Sequence, residues 1–304
     1  MKKIYKLMVA CLMGLTLTNC NDFLDYNPTA VIDEDKAFSE PEKMVNAAYA
    51  MLGDCWFSYP FNLFPYGDIT SDDCLKGGSG TTDTGYHPFE IWSTLTATTP
   101  GEMDELWYRL YCAVSRCNRA LVSLERNGVA KLGSDISEQR IAEVKFLRAH
   151  FYYKLLTVFR QVPWIDEVAY LNNSIEQIPN DEFSYEGLFG KVIADFETAY
   201  NVLPEKQSDG GRVNKIAAAA YLAKCYLGLA WGDGYEATTG VNHINEEYMR
   251  KVVIYTDEVA NSDYDYLEDF GDIFLPDYKN SKESVFAVQC SDYKDDNTSF
   301  GRAN

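Results

Sequence analysis

One stretch constrains this chain more than any other: residues 137–164, SEQRIAEVKFLRAHFYYKLLTVFRQVPW. Apolar or aromatic side chains at Ile141, Val144, Phe151, Leu155, Val158 and Val162 recur at spacings of three, four or seven, which is helical periodicity. A second row, Ala142, Phe146, Ala149, Tyr153 and Leu156, covers much of the opposite side. A helix apolar nearly all round is buried between neighbours rather than laid on a surface. Arg148 interrupts the first row, so its guanidinium requires a carboxylate or carbonyl partner inside. Asp135 or Ser137 is placed to cap the start. Val162-Pro163 is placed to end the helix, because the residue before proline avoids the α region. The rest of the chain is expected to pack around this helix.

Other helices announce themselves by their ends. Ser39-Glu40-Pro41-Glu42 has the capping-box pattern and predicts a short helix with Met44, Ala48, Met51 and Leu52 inward and Gly53 at its close. Thr99-Pro100-Gly101-Glu102 combines a capping threonine, a proline at the first helical position and a closing glutamate. From there a helix is expected to run to Asn127-Gly128, with Leu106, Leu110, Ala113, Cys117, Leu121 and Leu124 on one face. Helices follow at 184–203, 213–231 and 246–261, with a Gly-rich loop at 232–240 and a short strand at 284–290. The 213–231 segment puts alanines where another helix can approach, with Tyr221, Leu222, Tyr226 and Leu229 filling the spaces between. That combination matches tetratricopeptide helices, although no strict ~34-residue repeat is visible. The fold class expected is mainly α: a tetratricopeptide-like α-helical superhelix with long decorated loops.

The first nineteen residues stand apart. Lys2, Lys3 and Lys6 precede an apolar run of eleven residues, 7–17, too short for the ~20 residues of a membrane span and suited to a secretory signal. Leu17-Thr18-Asn19-Cys20 resembles the lipobox of bacterial lipoproteins, whose cysteine is acylated and becomes the new amino terminus; Asn19 departs from the usual small residue. The domain reading is therefore a signal peptide at 1–19, a lipid-linked extended arm at 20–36 and a helical domain at 37–304. Removing the three leader lysines from 27 basic residues leaves 24 against 46 acidic, a net charge of −22. Such a surface excludes charge-driven binding to nucleic acid or anionic lipid. With three histidines in all and no CxxC, a histidine- or cysteine-based metal site is not expected, and no cofactor motif is present. Cys55 and Cys74 are candidates for one disulfide; Cys112 and Cys117, five apart on a helix, should not bridge.

In order along the chain come CNDFLDYNPT, AFSEPEKMVNAAYAML, LWYRLYCAVSRCNRALVSLE, AEVKFLRAHFYYKLLTVFRQVPW, FGKVIADFETAYNVLPE, GRVNKIAAAAYLAKCYLGLA, YLEDFGDIFLP and KESVFAVQ. Together they resemble the SusD/RagB family of outer-membrane nutrient-binding lipoproteins, with AE-x-x-FLRA-x-x-YY-x-L-x-x-x-x-x-x-VPW the most specific piece. The resemblance implies a cell-surface lipoprotein, anchored through Cys20, that holds oligosaccharide or peptide at the mouth of a TonB-dependent, SusC-like outer-membrane transporter. It implies no catalysis. Family chains run well past the length of this one, so this is a short member or a fragment. The outer faces of helices 213–231 and 246–261 are accordingly expected to carry exposed apolar side chains.

Glycan binding needs aromatic faces for sugar CH groups, flanked by hydrogen-bonding side chains. Tyr86, His87 and Trp92 form such a set without helical spacing, and Phe89 between them is equally suited to plugging the core. The acidic runs 263–272 and 292–296 lack the EF-hand pattern and read as solvated faces. Two rival readings stay open: a secreted helical glycoside hydrolase, for which no carboxylate pair stands out, and a tetratricopeptide-like interaction scaffold, which leaves Cys20 unexplained.

Overall fold

The structure, a computed structural model, describes residues 34–53, 65–71, 73–77, 86–93, 102–172, 175–232, 235–236, 240–241 and 244–289. Cys20 lies outside them, as does the Thr99 cap. The chain divides into two units, Met1–Ala37 and Phe38–Asn304, and the elements that position the site belong to the second. The described helices are α1 (Glu34–Phe38), α2 (Pro41–Tyr49), α3 (His87–Glu90), α4 (Glu102–Leu132), α5 (Ser134–Phe159), α6 (Glu167–Leu171), α7 (Tyr185–Val202), α8 (Lys215–Gly232) and α9 (Glu246–Ala260). A two-residue antiparallel pair, β1 (Tyr235–Glu236) with β2 (Gly240–Val241), lies between α8 and α9. It sits in the stretch read from sequence as a Gly-rich loop.

The long helices pack in sequence order: α2 on α4, α4 on α5, α5 on α7, α7 on α8 and α8 on α9. Each contacts the next, the arrangement of a helical solenoid, and the mainly α superhelix expected from the periodicities is the observed architecture. α5 is its interior member, touching α2, α4, α7 and α8. Val144, Phe146, Phe151, Tyr152 and Leu155 on it are fully enclosed. Phe146 alone meets three rings edge-on, Phe196 at 5.2 Å, Tyr221 at 5.4 Å and Phe286 at 5.9 Å.

Arg148 has the partners its burial demands. Nε and Nη2 donate to the two carboxylate oxygens of Asp195 on α7 at 2.7 and 3.0 Å. Nη1 donates to Asn118 Oδ1 on α4 at 3.0 Å and to Glu167 on α6. Burial by itself would lower its pKa, but Asp195 and then Glu167 outweigh burial and hold the guanidinium charged. One side chain thereby ties four helices together.

A second charged cluster joins α2, α5 and the α7–α8 connection. Glu143, fully buried, accepts from Arg140 at 2.7 Å, Arg212 at 2.8 Å and the Tyr49 hydroxyl at 3.0 Å. Glu42 accepts from both arginines, at 2.9 Å from Arg140 and 2.7 Å from Arg212.

Several helix ends differ from the sequence reading, each for a tertiary reason. α2 starts at Pro41 with Glu40 as the cap residue and no side-chain cap; Glu42, expected to close a capping box, is drawn to the two arginines instead. α4 continues through Gly128 to Leu132. Within the helix Gly128 lies at the close approach to α5, where a Cβ would overlap Ser137 Oγ, so this glycine serves packing and not a helix end; the turn falls at Gly133, whose φ of +84° favours glycine. α5 then begins at Ser134 with Gly133 as its cap residue and no side-chain cap, so neither Asp135 nor Ser137 caps it. It ends at Phe159, before Val162-Pro163, with Arg160 in the left-handed region at φ +62°. The early end lets Trp164 stack on Tyr152 at 4.2 Å and lets the Ile165 N–H donate to the Tyr152 hydroxyl at 2.6 Å.

α7 and α9 begin as capping chemistry requires. Ser184 Oγ accepts from the Gly187 N–H at 3.1 Å. Asn245 Oδ1 accepts from the Glu247 and Tyr248 N–H groups at 3.1 and 3.2 Å. Residues 284–289 form no strand; they return to the core irregularly, where Asn214 Nδ2 donates to the Val285 carbonyl at 2.7 Å. Cys74 is a free thiol, so the Cys55–Cys74 bridge is not formed; Cys112 and Cys117 are free as well. The outer side of the last two helices carries exposed apolar residues, Leu227 and Trp231 on α8 and Val253 and Ile254 on α9.

Candidate functional site

The residues Tyr86, His87 and Trp92 fall on one short turn, 86–93, built around α3. Pro88 pre-sets its first helical positions. The turn closes through its own backbone, with the Phe89 N–H on the Tyr86 carbonyl at 3.1 Å and the Ser93 N–H on the Pro88 carbonyl at 3.1 Å. Phe89 is its anchor: 6% exposed, it packs edge-on to Tyr66 at 5.2 Å. Tyr66 in turn borders the main hydrophobic core. Of the two roles open to Phe89, the core role is the observed one.

Trp92 does the opposite. Its side chain is 72% exposed, and its backbone sits at φ +50°. A bulky residue in the left-handed region is a true outlier, costing on the order of 1 kcal/mol or more, and such outliers cluster where ligands are held. No burial of the indole compensates for that cost. His87 is exposed, with Nδ1 3.7 Å from Glu90 Oε2, and Tyr86 is half-buried at the entry of the turn. The turn therefore combines an anchored ring beneath with an open indole face, an imidazole and a carboxylate above. Rings with a polar neighbour serve ligands that are apolar on one side and hydroxylated on the other.

A second concavity was not legible in the sequence. Trp107 and Tyr111 of α4, Pro163, Ile165 and Tyr170 line a cleft of about 320 Å3. The Tyr111 hydroxyl donates to the Pro163 carbonyl at 2.8 Å, and burial pushes its phenol well above the ordinary range. Only the four-residue spacing of Trp107 and Tyr111 on a helix hinted at a shared face. Among the described residues no group of three His, Cys, Asp or Glu side chains converges to hold a metal ion.

With the helical array and the site in place, the chain can be set beside known proteins. A family profile described as SusD-like, starch-binding associating with outer membrane, matches residues 22–227. The chain belongs to the SusD-like family. A SusD-like protein of Bacteroides ovatus is 25% identical over 290 residues, covering 93% of this chain and 49% of its own length. SusD-like protein P2 of Formosa agariphila is 28% identical over 236 residues, covering 75% of this chain and 43% of its own. Among solved structures, a protein crystallised with xylogluco-oligosaccharide superposes with a TM-score of 0.61 at 25% identity, over 81% of this chain and 46% of that one. The chain thus spans about half the length of the relatives it matches.

Proposed function

We propose that this SusD-like chain captures oligosaccharides at the cell surface, and that the turn 86–93 meets the ligand. In this reading residues 1–19 are a signal peptide, Cys20 carries the lipid that retains the protein at the outer membrane, and 20–36 is the arm leading to the helical domain 37–304. The partner is a TonB-dependent, SusC-like transporter that takes the captured glycan inward. The chain acts as a binder and not as a hydrolase.

One observation carries the site: Trp92 is held open to solvent in a costly backbone conformation while its neighbour Phe89 is buried. Membership in a family described as starch-binding, together with the relative crystallised with xylogluco-oligosaccharide, supports the ligand class. Sugar CH groups stacking on Trp92, with His87 and Glu90 taking hydroxyl hydrogen bonds, fit what the turn offers.

The test is calorimetry of the chain against starch-, xyloglucan- and laminarin-derived oligosaccharides, repeated on Trp92→Ala and Tyr86→Ala. By analogy with base stacking on rings, loss of the Trp92 ring should cost about 1–3 kcal/mol, a ten- to hundredfold fall in affinity. Unchanged affinity in both folded variants would remove the turn from the site. Release of reducing ends from any of these glycans would replace the binder by an enzyme.

A further inference from the structure

In a helical array whose members contact only their neighbours, one side can open without disturbing the rest, because stability is a sum of local contributions. Here α2 packs on α4 and α5, and α8 packs on α5, α7 and α9. One side chain crosses that order. Arg212, in the α7–α8 connection, donates from Nη2 to Glu42 Oε1 on α2 at 2.7 Å and from Nη1 to Glu143 Oε2 on α5 at 2.8 Å. Its guanidinium carbon also stands 5.6 Å from the centre of the Tyr49 ring, within reach of a cation–π contact. The Tyr49 hydroxyl donates to Glu143 at 3.0 Å and accepts from the Val213 N–H at 3.2 Å. Glu42 near the start of α2 and Tyr49 at its end are thus both tied to a connection 170 residues further along the chain than Glu42.

The connection is built to hold Arg212 in place. The Lys215 N–H closes it on the Pro204 carbonyl at 2.9 Å, and the Arg212 N–H turns back on the Asp209 carbonyl at 3.1 Å. Asn214 Oδ1 accepts from the Ala217 N–H at 2.9 Å at the start of α8. Gln207 Nε2 donates to Glu143 Oε1 at 3.2 Å, so the same loop supports the buried carboxylate a second time. Peeling α2 away withdraws Glu42 and Tyr49 together. Glu143, whose side chain is fully enclosed, would lose its phenol, and Arg212 would lose a carboxylate and a ring. A buried charge stripped of part of its hydrogen bonding is strongly unfavourable.

We infer that Arg212 is a latch: α2 opens only together with the α7–α8 connection, so the helices from α2 to α8 form one cooperative unit although they are stacked in series. In the anchored reading proposed above, α2 follows the lipid-linked arm in the chain, and the latch then also keeps a pull on that arm from peeling α2 off α4. That consequence rests on the anchor; the latch itself does not.

Native-state hydrogen exchange at a series of low urea concentrations, read by mass spectrometry on peptides from α2 and α8, tests this. In the wild-type chain both helices should show the same opening free energy and the same urea dependence, the sign of a single unit. Arg212→Met should separate them, with α2 exchanging about ten- to hundredfold faster than α8, the size expected for lost charge-assisted hydrogen bonds. Circular dichroism confirms that each variant is folded. If Arg212→Met does not fold, Glu42→Gln cuts the latch from the α2 side while leaving Glu143 all its donors, and should give the same separation. A wild-type α2 that opens before α8, with a smaller urea dependence, would overturn the proposal. So would a folded variant in which the two helices still exchange together.

Discussion

The interior helix α5 and the surface turn 86–93 are both rich in rings, and they use them in opposite ways. On α5 the aromatic residues recur at helical spacing, and each is met by a ring or a helix on another element, as Phe146 is by Phe196, Tyr221 and Phe286. On the turn, rings three residues apart part company, Phe89 going inward and Trp92 outward. Periodicity commits a whole face of rings to packing. Where it is absent, the backbone conformation at each residue decides, and one ring can be left for a ligand. The charged groups differ likewise. Arg148 inside α5 is surrounded by carboxylates, whereas His87 on the turn has a single loose partner in Glu90.

If α5 is the keystone, removing its central charge should be the most damaging change. Arg148→Met leaves Asp195 buried without its cation, and breaking a buried pair costs about 3–5 kcal/mol. Urea unfolding should show that loss, and adding Asp195→Leu should recover part of it, since an apolar replacement of the whole pair is tolerated better than half of one. A cost near zero for Arg148→Met would mean that α5 is not held by this network.

The close approach of α4 and α5 comes next. Gly128→Ala places a methyl group where Ser137 Oγ sits, an overpacking that should cost about 1–3 kcal/mol. Ser137→Ala in the same chain removes the hydroxyl and should relieve most of the strain, which thermal unfolding of the single and double variants would reveal.

A smaller effect separates the two regions by pH. His150 of α5 lies with Nδ1 2.7 Å from the Tyr221 hydroxyl. Burial first, then the nearby Lys154 and Lys224, hold its pKa well below the ordinary 6.5. The folded protein therefore keeps His150 neutral where the unfolded chain would take a proton. Its contribution to stability is complete above pH 6.5 and is lost as pH falls from there toward the folded value, at up to about 1.4 kcal/mol per pH unit. Comparing wild type with His150→Gln in urea at pH 7.5 and 5.5 isolates this share, because the variant loses only what other groups contribute.

The fold was largely legible because it rests on spacing. The buried faces of α4 and α5 are named residue by residue from spacing, and Arg148 is expected to need a carboxylate or carbonyl partner. Which carboxylate was not legible, since Asp195 lies on another helix and nothing local distinguishes it from its neighbours. Helix ends were misread where a local signal was overruled from afar: Glu42 by two arginines, Gly128 by Ser137, Val162-Pro163 by the stacking of Trp164 on Tyr152. Residues 284–289 form no strand; there the Val285 carbonyl accepts from Asn214 and the Phe286 ring meets Phe146, contacts to other elements that a short local alternation does not reveal. At the site, residue types and the absence of periodicity marked the turn, but only the backbone angle at Trp92 told the outward ring from the inward one.

That angle supplies the most direct test of the central claim, that Trp92 is kept in a costly conformation for a ligand's sake. Trp92→Gly relieves the left-handed backbone and removes the indole together. The account predicts that folding stability, read from urea unfolding, stays level or rises by about 0.5–1 kcal/mol, while calorimetry shows oligosaccharide affinity falling at least tenfold. A variant that is destabilised and binds its glycan as well as the wild type would contradict it, for Trp92 would then serve the fold and not the ligand.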